Sequence, residues 1–175
     1  IGIDNDLNCL IHCIHKFGKK INYNNNFIIS DLSSDWNNND KNWFKLDFNK
    51  KYDYFVCNFS LMHFCNDKFW NQLNLISKTG SKMLFNLVNE KSKNKINIDS
   101  TYLYLDKENK KIKYYFDSVH NSEMEEDYIS ENILENNLKK YNWTIIKKMN
   151  NFKSIINDKN ENSFHNYYDW YIIMK

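Results

Sequence analysis

The 175-residue sequence has no proline, no arginine and no alanine, and only three glycines. Most codons for these residues are GC-rich. Asn, Lys, Ile, Tyr and Phe abound, and their codons are AT-rich, so the composition reflects a very AT-rich genome rather than functional design. The Asn runs at 24–26 and 37–39 are accordingly expected to be padded loops. Without arginine, any phosphate has to be met by lysine, a point charge lacking the guanidinium fork. The net charge of +2 is too small for a nucleic-acid coat but permits a local basic groove. No stretch approaches the ~18 consecutive apolar residues of a membrane span, and no secretory signal pattern is visible. No Ser–His–Asp, HExxH or P-loop pattern occurs. Cys9, Cys13, Cys57 and Cys65 lack a disulfide-scaffold pattern and suit a reduced, intracellular compartment, cytoplasmic or nuclear. Cys9, His12 and Cys13 share a helix face by spacing. No second ligand-bearing element stands beside them, so they read as core residues and no metal is expected.

What is present suffices for about one domain over 1–175: 42% of residues are hydrophobic and 17% aromatic. Ile1 already lies in a strand-like run, IGID, with no Met before it, so a fragment with more protein upstream is expected. Apolar residues at 7, 10, 11, 14 and 17 have the helical period, and Gly18 stops it. NFIIS (26–30) is a second strand. YDYFVCNFS (52–60) is a third, with the look of a buried strand. NDKFWNQLNLISK (66–78) is a helix capped by Asn66 or Asp67 and closed near Gly80. KMLFNLV (82–88) is a fourth strand. Strands alternating with helices predict an α/β fold with a mainly parallel, doubly wound sheet.

The rhythm then changes. TYLYLD (101–106) and KIKYYF (111–116) flank KENK as a hairpin within an insertion over about 99–128. The acidic run SEMEEDY (122–128) reads more readily as a solvated turn than as a site. ISENILENNLKKY (129–141) is a helix with Ile133, Leu134, Leu138 and Tyr141 on one face. NWTIIKKM (142–149) and WYIIMK (170–175) are strands added late, antiparallel in such sheets.

Ligands of open α/β sheets bind beyond the carboxyl ends of the strands. Three ends here carry Asp4, Asp31 and Asn58–Phe59. An acid at such a place accepts from a ribose diol, and an acid followed by an apolar residue, Asp31–Leu32, suits an adenine amino group and ring. Each acid alone is also a good helix N-cap. His63 reads as a rim histidine or as a hydrogen-bonding pocket wall; Phe59 and Phe64 read as core or as walls for a flat ring.

Taken together these residues resemble the mRNA cap guanine-N7 methyltransferases, in particular the poxvirus and giant-virus branches. IGIDND is similar to the ribose motif, at Asp4, and IISDLS to the adenine motif, at Asp31. CNFSLMHF (57–64) is similar to the family's Cys–Gln–Phe–x–x–His–Tyr stretch, with Asn58 and Phe64 in place of Gln and Tyr. EDYIS (126–130) resembles the segment whose acid grips the cap guanine, at Asp127, or at Glu126 with a one-residue slip. YYDWYIIMK (167–175) resembles the closing strand whose aromatic, Tyr168, lies over the cap. The family's Gly-rich motif is absent from this sequence.

The resemblance implies a Rossmann-like class I fold and S-adenosylmethionine as methyl donor. The donor would be held by Asp4, Asp31, Leu32, Asn58 and Phe59, and the cap of an RNA 5′ end by Phe59, His63, Phe64, Asp127 and Tyr168. No residue acts as general base, and Lys139, Lys140 or Lys147 would meet the triphosphate. It also implies association with triphosphatase and guanylyltransferase domains or an activating subunit. The rival readings are a class I methyltransferase acting on another RNA position or a small molecule, and a non-catalytic subunit of the same fold.

Overall fold

The computed structural model describes residues 2–4, 11, 16, 27–29, 48–57, 61, 65–89, 96–98, 101–106, 108–116, 123–150 and 168–175. They divide into two compact units, 1–51 with 64–77, and 52–63 with 78–175. In the first, strand β1 (Gly2–Asp4) pairs in parallel with β2 (Phe27–Ile29), Asp4 standing opposite Ile29. The parallel pair needs a crossover connection. Ile11 and Lys16 have helical backbone within the 7–17 helix that the sequence predicts.

Helix α1 spans Asp67–Ile76 in the same unit. The Asn66 side chain accepts from the backbone N–H of Phe69 at 2.9 Å, which satisfies one of the orphan donors of the first turn. Phe69, Trp70, Leu73 and Ile76 form its buried stripe, at the helical period. Full burial of such side chains is worth about 1.5–3 kcal/mol each. Lys51 Nζ donates to the carbonyl of Leu75, satisfying an acceptor of the last turn.

In the second unit, strands β3 (Tyr52–Cys57), β4 (Ser77–Val88), β9 (Thr144–Asn150) and β10 (Tyr168–Met174) form one sheet in the order β3-β4-β10-β9. Strand β10 is antiparallel to both neighbours, so β4 and β9 run in the same direction. Strand β3 is less buried than its sequence suggests. Tyr54 and Val56, on one face, are 76% and 72% exposed. On the other face Phe55 meets Trp143 edge-on at 6.4 Å, and Cys57 is buried.

Gly80 does not close α1. The helix ends at Ile76 with Ser77 as its C-cap, and Gly80 lies inside β4 with φ +87°. There its N–H donates to the carbonyl of Lys175 at 2.8 Å, and Lys175 N–H returns a bond to Ser81 at 3.0 Å. Ser81 Oγ accepts from the N–H of Lys78 and donates to the carbonyl of Tyr52. A Cβ at Gly80 would meet nothing within 4 Å, so the cost of substitution is conformational alone. Gly80→Ala is expected to cost about 1–2 kcal/mol in urea unfolding; unchanged stability would mean that this backbone shape is not required.

Strands β5 (Ile96–Ile98), β6 (Thr101–Asp106), β7 (Lys111–Phe116) and β8 (Glu123–Asp127) form a separate antiparallel meander in sequence order. The acidic run expected as a turn is thus strand β8. Charge across the ladder explains it, since Lys111 stands opposite Asp127 and Lys113 opposite Glu125. Helix α2 (Glu131–Lys140) follows, capped by Ser130 Oγ. Asn142, at φ +60°, ends it: Trp143 N–H reaches the Leu138 carbonyl at 2.8 Å, a Schellman arrangement. Leu134, Leu138 and Tyr141 are buried, whereas Ile133, assigned to the same face by the sequence, is 41% exposed.

Candidate functional site

The carboxyl ends of β1 and β2 present Asp4 and Ile29 side by side in register. Asp31, Leu32, Asn58, Phe59, His63 and Phe64 lie outside the described residues, as do Cys9, His12 and Cys13. Strand β3 stops at Cys57, and Leu61, within the CNFSLMHF stretch, is helical and fully buried.

In the second unit the corresponding end is formed by the last residues of β4 and the first of β10. Tyr168 pairs with Val88 and is buried; burial pushes its hydroxyl well above the usual phenol range, which keeps it neutral. Asn89 Nδ2 donates to Asp169 Oδ1 at 3.2 Å. Asp169 Oδ2 lies 3.5 Å from Lys148 Nζ, which also donates to Glu131 Oε2 at 2.8 Å. The ammonium sits 5.5 Å from the centre of the Tyr171 ring, and that ring stacks on Phe85 at 5.3 Å. Burial works against the Lys148 charge, but the Glu131 bond and the neighbouring Tyr171 and Asp169 outweigh it, and its pKa rises above the usual lysine range. Burial likewise pushes Tyr171 up to about 12.

The meander separates the two acids that the sequence leaves as alternatives. Strand alternation puts Asp127 on the face of Lys111 and Glu125, and Glu126 on the opposite face, beside Ile112 and Leu105. Ile112 and Leu105 are buried and Glu126 is half-buried. The Asp127 side chain is 78% exposed and takes a 2.7 Å bond from Lys111. That bond holds Lys111 above its usual pKa.

Of the candidate triphosphate lysines, Lys139 lines an open groove of about 560 Å³ with Leu138, Trp143 and Ile145. This groove adjoins the start of β9, the end opposite to Asn89 and Asp169. Lys140 lies over its neighbour Tyr141 at 5.2 Å, and Lys147 is exposed on β9. Sequence reasoning missed Asn89, Glu131, Lys148 and Asp169. The available signal was an acid embedded in the aromatic strand YYDWY. Among the described residues no group of three metal-ligating side chains occurs, and no helix is long and apolar enough to cross a membrane.

Parallel β1 and β2, and an antiparallel last strand set between β4 and β9, belong to the Rossmann-like fold of class I S-adenosylmethionine-dependent methyltransferases. The chain has that fold. A methyltransferase of this kind from Clostridium acetobutylicum superposes with a TM-score of 0.66 at 17% identity, covering 98% of this chain and 73% of that one. The CcbJ methyltransferase from Streptomyces caelestis gives 0.65 at 10% identity, covering 99% and 78%. The glycopeptide N-methyltransferase MtfA, solved with S-adenosylmethionine, gives 0.55 at 10% identity, covering 98% and 70%. No family model and no curated protein matches the sequence.

Proposed function

We propose that the protein transfers a methyl group from S-adenosylmethionine to guanine N7 at the capped 5′ end of an RNA. The observation that carries the reading is a methyltransferase fold whose meander, inserted between β4 and α2, bears a half-buried carboxylate at Glu126. The donor supplies an electrophilic methyl on a sulfonium. By the resemblance, Asp4, ending β1, is the residue for its ribose, Asp31 and Leu32 are those for its adenine, and Asn58 and Phe59 are further donor residues.

Guanine N7 already carries a lone pair at neutral pH. The N7–carbon bond forms as the carbon–sulfur bond breaks, the sulfur leaves as a neutral thioether, and no proton has to be removed. The protein's task is to align donor and acceptor, an effect worth up to ~7–11 kcal/mol. The purine gains positive charge as the methyl arrives. A carboxylate accepting from guanine N1–H and N2–H stabilises that charge. Alternation in β8 favours Glu126 for this role, with Asp127 held outside by Lys111. His63 reads a further guanine edge, and Phe59, Phe64 and Tyr168 wall the ring. Triphosphatase and guanylyltransferase domains or an activating subunit fit the same reading as partners.

Methylation of GpppRNA, compared with uncapped RNA and free guanosine, tests the reading. Transfer to the capped acceptor alone is expected, and equal transfer to uncapped RNA would sink the cap assignment. Asp4→Ala is expected to weaken the donor on the order of tenfold in calorimetry and to leave cap affinity unchanged. An unaltered donor affinity would return Asp4 to a purely structural role.

A further inference from the structure

We propose that Lys148 is a positioning residue that clamps together the two roots of the β5–β8 meander. The insertion leaves the sheet after Asn89, just past the last paired residue of β4, and returns just before Glu131, the first residue of α2. These two roots are far apart in sequence, yet a single chain of polar contacts joins them. Asn89 Nδ2 bonds to Asp169 Oδ1 at 3.2 Å, Asp169 Oδ2 lies 3.5 Å from Lys148 Nζ, and Lys148 Nζ bonds to Glu131 Oε2 at 2.8 Å. Lys148 is the link that touches both halves.

The chain of contacts runs from a buried end at Asn89 to an exposed end at Glu131, whose side chain is 49% exposed. Asn89 is buried, and the Asp169 side chain is only 15% exposed. Partial desolvation strengthens the contacts at the Asn89–Asp169 end. The Tyr171 ring, fixed by its stack on Phe85, supports the ammonium from a third direction.

The sheet does not depend on this clamp. Val88 through Lys82 are paired along β10, and Phe85, Tyr171 and Ile173 are buried whatever stands at position 148. The side chain of Asn89 lies beyond the ladder. Losing the lysine therefore spares the sheet and releases the roots. On the reading given above, on which this consequence rests, the meander carries Glu126, and the stance of its roots sets where that carboxylate meets the acceptor. Lys148 then acts on the acceptor side of the transfer rather than on donor binding.

Lys148→Met keeps the apolar stem and removes the ammonium. Backbone amide exchange in the full chain is the primary measurement. At Asn89 and Leu134 exchange is expected to accelerate about tenfold or more, with Phe85 and Ile173 unchanged. Lys148→Arg, which retains the charge and the donors, is expected to keep wild-type rates. Unchanged rates at Asn89 and Leu134, or uniform acceleration through Phe85 and Ile173, would overturn the clamp. With capped RNA as substrate, Lys148→Met is expected to lower kcat several-fold while the donor KM stays near wild type and Lys148→Arg restores kcat; an equal rise in the donor KM, or an unchanged kcat, would overturn the acceptor-side role. If the wild-type protein methylates no capped acceptor, the functional reading fails, and the exchange rates still decide the clamp.

Discussion

If the protein methylates capped RNA as proposed, Glu126→Gln is expected to lower turnover by about ten- to a hundred-fold at saturating donor, whereas Asp127→Asn is expected to leave it within about twofold. The asymmetry follows from the pleat of β8. Neighbouring residues on a strand point to opposite faces. Asp127 shares a face with Glu125 and Lys111, is largely exposed, and is bonded to Lys111. A solvent-exposed ion pair of that kind contributes little. Glu126 stands on the face of the buried Ile112 and Leu105 and is half-buried itself. On the proposed reading a carboxylate there would meet the purine in lowered dielectric, where a charge-assisted bond contributes about 1.5–3 kcal/mol. Because positive charge grows on the purine only as the methyl moves, the loss falls on kcat more than on binding of unmethylated cap. The reverse ranking would assign the acid role to Asp127. Two mutants indistinguishable from wild type would leave β8 as a structural strand and remove the chemical support for a cap acceptor.

Phe85→Ala is expected to cost about 3–5 kcal/mol of stability in urea unfolding. Phe85 is fully buried in β4 and lies opposite Tyr171, with the rings 5.3 Å apart and 13° from parallel. Truncation removes the apolar surface, leaves a cavity in a close-packed interior and breaks the stack, which alone contributes about 0.5–1.5 kcal/mol. Phe85→Leu fills most of the space and is expected to cost less than half as much. A loss below about 1 kcal/mol for the alanine variant would mean that the surroundings collapse onto the gap.

Local physics made some elements readable. Helix α1 shows its period in Phe69, Trp70, Leu73 and Ile76, and Asn66 announces its start; both are local signals. The hairpin of β6 and β7 keeps the bounds that its alternating runs suggest. Gly80 misled because a glycine after a helix usually ends it. Here the positive φ serves the pairing with Lys175, and position 175 lies far away in sequence. The acidic run misled for a similar reason. Its composition suits a turn, and pairing with β7, which sets Lys111 and Lys113 opposite Asp127 and Glu125, makes it a strand. The contacts Asn89–Asp169 and Lys148–Glu131 join residues from four elements, and no periodicity within one element encodes them. The strand end at Asp4 was legible, since Asp4 does end β1 beside β2, whereas Asp31 lies outside the described residues.

The position of β10 sets a schedule for folding. It is the last strand in sequence order among the described residues, yet it occupies an interior place in its sheet, between β4 and β9. Until it docks, β4 and β9 each offer an unpaired edge to other chains, the arrangement that templates aggregation. Bond formation between Val88 and Tyr168 closes a loop of about eighty residues, an entropic cost met before any ladder contact repays it. During synthesis the emerging sheet therefore waits for its keystone. The interval between completing β9 and delivering β10 is the period of greatest exposure to misassembly.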